Sequence, residues 1–174
     1  MDDQKFFAIA LEEAKKSLAV GGVPVRIIHF QYDLPVLMTG KVGACLVSKD
    51  GQCLGQGHNK RVQEGSATKH AEMSAIEASV PSRGPPPPAS TYKGGTMYTT
   101  LLPCIMCTGA CLLYGISRVV YGTAANQSVK IDTLKLLQEQ GVDTVGLDVK
   151  ECQDMMERWI KENPEKYRME PWAE

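Results

Sequence analysis

The sequence predicts an α/β protein, a three-layer α/β/α sandwich in which helices cover both faces of a mixed five-stranded sheet. Five segments carry apolar residues at helical spacing, and five short apolar or β-branched runs alternate with them. The first two runs flank the turn signal K-D-G at 49–51, whereas helices separate the later ones. This order predicts a hairpin followed by parallel strands. A chain of 174 residues has the length of one domain, 1–174.

The first predicted element is an amphipathic helix over residues 3–20. It carries Phe6 and Phe7 on an apolar face, and Glu12 and Glu13 on the opposite, polar face. The glycine pair at 21–22 ends it. The remaining predicted elements are strands over 42–48, 52–57, 96–100, 118–121 and 144–149 and helices over 70–79, 104–114, 131–140 and 151–163.

Two helix starts carry their own sequence signals. Ser66 or Thr68 is expected to cap the helix that begins near His70, because hydroxyl side chains accept hydrogen bonds from the free amides of a first turn. Pro103 is expected at the first helical position of the helix after the third strand, where a missing N–H costs little.

Two segments interrupt this pattern. Residues 25–41 are apolar in patches, lack alternation and contain Pro35, so we interpret them as an insertion, with an edge strand or hairpin as the alternative. Residues 81–90 form a Pro-rich loop, which we expect to be a stiff surface spacer.

Composition excludes several classes of function. Nineteen basic and twenty acidic residues leave a net charge of −1, so no nucleic-acid partner is expected. The N-terminus lacks the apolar core of a secretion signal, and no apolar run approaches the length of a membrane span. We therefore expect no membrane association, reduced cysteines, and a location in the cytoplasm, with the nucleus as an additional location.

One pair of motifs carries the chemistry. His-x-Glu at 70–72 is followed by P-C-x-x-C at 103–107, so His70, Cys104 and Cys107 offer one imidazole and two thiolates, the ligands of zinc with one position open. Glu72 is placed to act as the general acid and base. This combination is the signature of zinc deaminases. A closed structural zinc site is the alternative, and it would need a fourth ligand such as Cys111.

Four stretches carry a family resemblance: G-Q-G-H-N at 55–59, G-S-A-T-K-H-A-E at 65–72, Y-T-T-L-L-P-C-I-M-C-T-G-A at 98–110 and Y-G-I-S-R at 114–118. They resemble cytosine deaminases of the yeast type, in the cytidine deaminase-like superfamily. The resemblance implies the cytidine deaminase-like fold, one Zn²⁺ per subunit and a homodimer. It also implies conversion of free cytosine to uracil and ammonia in pyrimidine salvage.

The resemblance also implies a set of residues that contact the base. These are Asn59, Leu102, Gln127, Tyr167 and Glu170. Gln127, Tyr167 and Glu170 depart from the Phe, Trp and Asp of the family, which leaves the substrate open. The alternatives are a related amino-heterocycle, a nucleoside or nucleotide, and tRNA adenosine, or else a non-catalytic zinc-binding paralogue. Residues 164–174 are expected to close the pocket as a lid.

Overall fold

The computed structural model describes residues 2–19, 42–61, 63–82, 85–124 and 131–164. The elements, in chain order, are α1 Asp3–Ala19, β1 Gly43–Val47, β2 Cys53–His58, α2 Ala71–Ala78, a 3₁₀ turn Ala89–Thr91, β3 Thr96–Leu101, α3 Ile105–Leu113, β4 Arg118–Thr123, α4 Thr133–Glu139, β5 Asp143–Gly146 and α5 Lys150–Glu162. These bounds agree with the predicted elements to within a few residues.

The five strands form one mixed sheet in the order β2-β1-β3-β4-β5. β1 pairs antiparallel with both β2 and β3, and β4 pairs in parallel with β3 and β5. The hairpin carries an irregularity between Leu46 and Val47. The predicted mixed sheet of five strands is therefore confirmed, and the parallel strands β3 and β4 end at the same edge.

Helices cover both faces of the sheet, which confirms the three layers. One core contains Phe6, Tyr98 and Met155 and joins α1 and α5 to the sheet. The other contains Ala75 and Leu137 and joins α2, α3 and α4 to the opposite face. Neighbouring strand residues alternate between these cores, as the two-residue period of a strand requires.

Helix α1 packs directly on the start of β1 because residue 43 has no side chain. A Cβ atom at Gly43 would lie 2.1 Å from the carbonyl oxygen of Ala10 and 2.3 Å from the amide nitrogen of Ala14. Real Cβ atoms do not approach backbone so closely, so the glycine permits the contact. The close approach fixes the side chains of α1 relative to the first hairpin.

Three sequence predictions were wrong in detail. Glu13 is buried at 5% exposure, not on a solvated face. Residue His70 is the N-cap of α2, so the predicted caps Ser66 and Thr68 lie too far upstream; the Ser66 hydroxyl instead accepts hydrogen bonds from the amides of Thr68 and Lys69. Cys104 is the N-cap of α3, which places Pro103 just outside the helix.

Several predicted segments lie wholly or partly outside the described residues. The interpretation of 25–41 as an insertion and that of 164–174 as a lid both stay predictions, since only residue 164 of these is described. The Pro-rich loop leads into the 3₁₀ turn Ala89–Thr91. Within the described ranges, none of the helices combines the length and the apolar character that a membrane span requires.

Candidate metal centre and active site

The two halves of the motif reach the site through two equivalent junctions. Cys104 follows β3 and caps α3, and His70 follows the loop after β2 and caps α2. Both N-cap residues have extended backbone, with φ/ψ of −66°/167° for His70 and −68°/172° for Cys104. Neither residue caps its helix through its side chain. The two side chains instead turn towards each other.

His70, Cys104 and Cys107 form a compact group of metal-binding side chains. Their donor atoms all lie within 4.8 Å of one another, and His70 Nδ1 is 3.4 Å from Cys104 Sγ. Among the described residues this is the one such group, and Cys111, although buried, is not part of it. One imidazole and two thiols fit zinc with an open position better than a closed site with four protein ligands.

The two thiols differ in their proton affinity. A hydrogen bond from Cys107 and then one from His70 lower the pKa of Cys104 to about 4, despite its burial. The bond to Cys104 and burial raise the pKa of Cys107. Burial lowers the pKa of His70, but Cys104 and Glu72 outweigh it and the net change is upward. A negative, partly desolvated pocket of this kind favours a divalent cation.

Glu72 lies in the first turn of α2 and is 3% exposed. Burial, followed by the negative charge of Cys104, raises the pKa of its carboxyl group to about 7. A carboxyl with this pKa exchanges a proton easily near neutral pH, which is the property of a general acid and base. Its role in turnover stays a prediction from the motif.

The predicted base contacts divide into two groups. Asn59 follows β2 and is 3% exposed; its backbone N–H donates to the carbonyl of Val42, and its Oδ1 accepts from the N–H of Arg61. Leu102 is 5% exposed and its N–H donates to the carbonyl of Thr123. The other three predicted contacts lie outside the described residues: Gln127, Tyr167 and Glu170.

Sequence reasoning missed one polar pair, which includes the residue that precedes Asn59 in the chain. His58, the residue before Asn59, has its Nδ1 at 3.0 Å from Oε2 of Glu13 on α1. A signal was present, because Glu13 stands one helical turn after the fully buried Ala10 and directly before the fully buried Ala14. The charge of Glu13 favours a polar face, but its position along the helix places it on the buried face.

The fold is a three-layer sandwich, and a His-Cys-Cys group lies at the starts of two helices with a buried glutamate in the first turn of one of them. This arrangement is that of a zinc-dependent hydrolytic deaminase. The sequence model described as "Cytidine and deoxycytidylate deaminase zinc-binding region" matches residues 36–123. The chain belongs to this deaminase family.

Three relatives show how the similarity is distributed. Cytosine deaminase of Candida albicans is 44% identical over 164 residues, which cover 94% of this chain and 93% of that protein. The tRNA-specific adenosine deaminase of Bacillus subtilis is 30% identical over 166 residues, covering 92% and 89%. The solved structure of guanine deaminase from Bacillus subtilis has a TM-score of 0.52 at 22% identity, covering 82% and 72%, and supports the fold alone.

Proposed function

We propose that this protein hydrolyses free cytosine to uracil and ammonia. The observation that carries the proposal is the buried Glu72 beside the group formed by His70, Cys104 and Cys107. The 44% identity to a cytosine deaminase over nearly the whole chain selects the base among the substrates of the family. Water supplies the oxygen of uracil, and the exocyclic amino group leaves as ammonia.

In the proposed mechanism, His70, Cys104 and Cys107 would hold a zinc ion. When bound, the ion would supply Lewis acidity and make a water in the site more acidic. Glu72 would accept one proton from the attacking water and deliver it to the ring nitrogen. It would then accept the second proton, from the hydroxyl group now on the ring carbon, and deliver it to the amino group, which leaves as ammonia when the C–N bond breaks. The pKa of about 7 suits both directions of transfer, because neither the acid nor the base form is strongly favoured at neutral pH.

Asn59 would orient the base. The N–H of Arg61 donates to its Oδ1 at 3.1 Å, and this bond fixes which end of the amide is the acceptor. The Nδ2 group of Asn59 can then donate a hydrogen bond to a carbonyl oxygen on a pyrimidine ring. Leu102, 5% exposed, would line the pocket, and Gln127, Tyr167 and Glu170 are proposed to complete it, with residues 164–174 as the lid.

The test is ammonia release from cytosine by the zinc-loaded protein and by Glu72→Gln. The variant keeps the shape of the side chain but cannot carry the proton, so we expect turnover to fall by roughly 10²–10⁴-fold with zinc content unchanged. Glu77→Gln is the matched control, since Glu77 lies on the same helix with a half-exposed side chain paired to Lys69. Near wild-type turnover by Glu72→Gln would contradict the mechanism.

A second candidate is deamination of adenosine in tRNA, which the 30% identity to a tRNA-specific adenosine deaminase favours. The net charge of −1 argues against it, because RNA affinity rests on many basic contacts to phosphates. A panel of cytosine, guanine, cytidine, deoxycytidylate and an adenosine-containing tRNA hairpin separates these substrates. Bound zinc together with no release of ammonia from any of these substrates would favour a non-catalytic zinc protein or a different amino-heterocycle as the substrate.

We also propose a homodimer formed through α3. No residue of this helix is charged, and Ile105 and Leu113 are 45% and 77% exposed. Ile131, another large apolar side chain exposed at 46%, precedes α4, the helix that packs beside α3. An apolar face without charges suits a second identical copy, because symmetry pairs the same residues. Light scattering should give a dimer, and Leu113→Lys a monomer; a monomeric wild type would refute this interface.

For the cell, we propose a location in the cytoplasm, with the nucleus as an additional location, and a role in pyrimidine salvage. Uracil is the product that such a role requires, and no nucleic-acid partner is needed for a free-base substrate. A fluorescent fusion would report the location. Growth of pyrimidine-requiring cells on cytosine as the only pyrimidine source would report the role, and Glu72→Gln should abolish that growth.

A further inference from the structure

We propose that Glu13 and His58 form a positioning pair that holds Asn59 in the orientation needed to bind the base. The inference rests on the proposed function, since it gives Asn59 the role of a substrate contact. Neither residue touches the substrate; both would act through the backbone that carries Asn59.

The pair is built across two layers of the fold. Glu13 projects from α1 with 7% of its side chain exposed, and His58 ends β2 with 19% exposed. His58 Nδ1 lies 3.0 Å from Glu13 Oε2. Because a carboxylate can only accept a hydrogen bond, Nδ1 of His58 carries a hydrogen atom and donates the hydrogen bond to Glu13.

The second oxygen of Glu13 has its own partner, the ammonium group of Lys16 at 2.5 Å. Burial opposes ionisation of Glu13, but the hydrogen bonds with Lys16 and His58 outweigh it and lower the pKa. The carboxylate therefore stays charged at neutral pH, and its bond to His58 is charge-assisted.

The backbone around the pair transmits this restraint to Asn59. Residue 58 is the register partner of Gly43, where α1 touches the sheet through backbone atoms. The next residue, Asn59, is tied to the same strand end by its N–H bond to Val42. Helix α1, β1 and the end of β2 thus meet at one point, and the Glu13–His58 bond is a side-chain link between the helix and the edge strand there.

A positioning role predicts a defect in binding more than in chemistry. The hydrogen bond to His58 fixes the direction in which β2 ends, and an amide that binds a small rigid base tolerates little displacement. Glu72, which is proposed to transfer the protons, and the three proposed metal ligands lie on other elements, at the starts of α2 and α3. We therefore expect KM to change and kcat to be largely preserved.

The experiment compares disruptive with conservative variants in the zinc-loaded, full-length protein. Glu13→Ala and His58→Leu remove the hydrogen bond, whereas Glu13→Gln keeps an acceptor and His58→Asn keeps a donor near the Nδ1 position. For cytosine, KM should rise on the order of tenfold in the disruptive pair, the loss typical of a bond to a charged group. Values of kcat and zinc content should stay within about twofold, and the conservative variants should recover most of the affinity.

Two control variants separate positioning from general stability. Lys15→Ala removes exposed ion pairs of the same helix, with Glu12 and Glu151, and leaves Glu13 and its partners in place. Asp3→Asn weakens α1 at the opposite end of the sheet, where Arg118 donates to both Asp3 oxygens at 2.6 and 2.9 Å. Melting temperature should fall in Asp3→Asn while KM stays unchanged in both controls. An equal rise of KM in Asp3→Asn would overturn the inference, as would an unchanged KM in Glu13→Ala and His58→Leu.

A binding measurement keeps this outcome distinct from failure of the proposed function. Calorimetric titration of cytosine into Glu72→Gln, with and without His58→Leu, should show affinity reduced on the order of tenfold by the second change. A wild type that neither binds nor deaminates cytosine would overturn the proposed function and the inference together. A wild type that deaminates cytosine with equal affinity in both backgrounds would overturn the inference alone. If Glu13→Ala fails to fold, His58→Leu against His58→Asn makes the same comparison.

Discussion

Glu72 should make the metal-free protein less stable as the pH rises, and Glu72→Gln should remove this effect. Burial raises the pKa of Glu72 from 4.5 to about 7 in the fold without metal. Each tenfold change in proton affinity is worth about 1.4 kcal/mol. Ionised Glu72 therefore costs the metal-free fold about 3 kcal/mol, a large part of the stability of an ordinary domain.

The sign follows from linkage between protonation and folding. In the unfolded chain Glu72 ionises around pH 4.5, whereas the folded, metal-free protein keeps the proton until about pH 7. The penalty is absent below pH 4.5, grows between these values, and is complete above pH 7. Cys104 acts in the opposite direction, because its pKa is lowered to about 4, but this contribution is present in both proteins.

The assay is urea unfolding of the chelated, reduced proteins at pH 5 and pH 8. The free energy of unfolding of Glu72→Gln, relative to wild type, should rise by about 2.5 kcal/mol between the two pH values, because part of the penalty is already present at pH 5. With zinc restored the difference should shrink, since a nearby cation favours the ionised carboxylate. Parallel pH profiles of the two metal-free proteins would refute the reasoning, because they would show that Glu72 does not carry its proton into the fold.

Four further perturbations follow from the same structure. His70→Ala should lose zinc and lower the melting temperature, because metal binding is coupled to folding; metal analysis with calorimetry checks this. Gly43→Ala should cost about 1–3 kcal/mol, since its Cβ would lie 2.1 Å from the oxygen of Ala10, and an unchanged melting temperature would show that α1 can shift freely. Deleting 167–174 should raise KM and leave zinc bound, and unchanged kinetics would exclude the lid. Deleting 25–41 should improve soluble yield and keep turnover, and loss of folding would show that this segment is structural.

The fold and the metal ligands could be predicted because their signals are local. The periods of helices and strands are short, so a few residues indicate each element. A His-x-Glu motif and a Cys-x-x-Cys pair likewise indicate metal ligands within a few residues each. The three ligands meet because each stands at or just inside a helix start beside the sheet. The wrong assignments had a different origin. The cap of α2 depends on where the loop 59–70 enters the helix, and the burial of Glu13 depends on Gly43 from a distant strand.

The two chain segments joined by the metal centre are far apart in sequence. His70 and Cys104 are separated by 34 positions, and the Pro-rich loop lies between them. A metal ion bound by both residues would cross-link the chain on either side of that loop, much as a disulfide would. The entropy of such closure grows only with the logarithm of loop length, so doubling the enclosed segment costs about 0.6 kcal/mol. Insertions in the Pro-rich loop should therefore cost little stability and leave the metal centre in place.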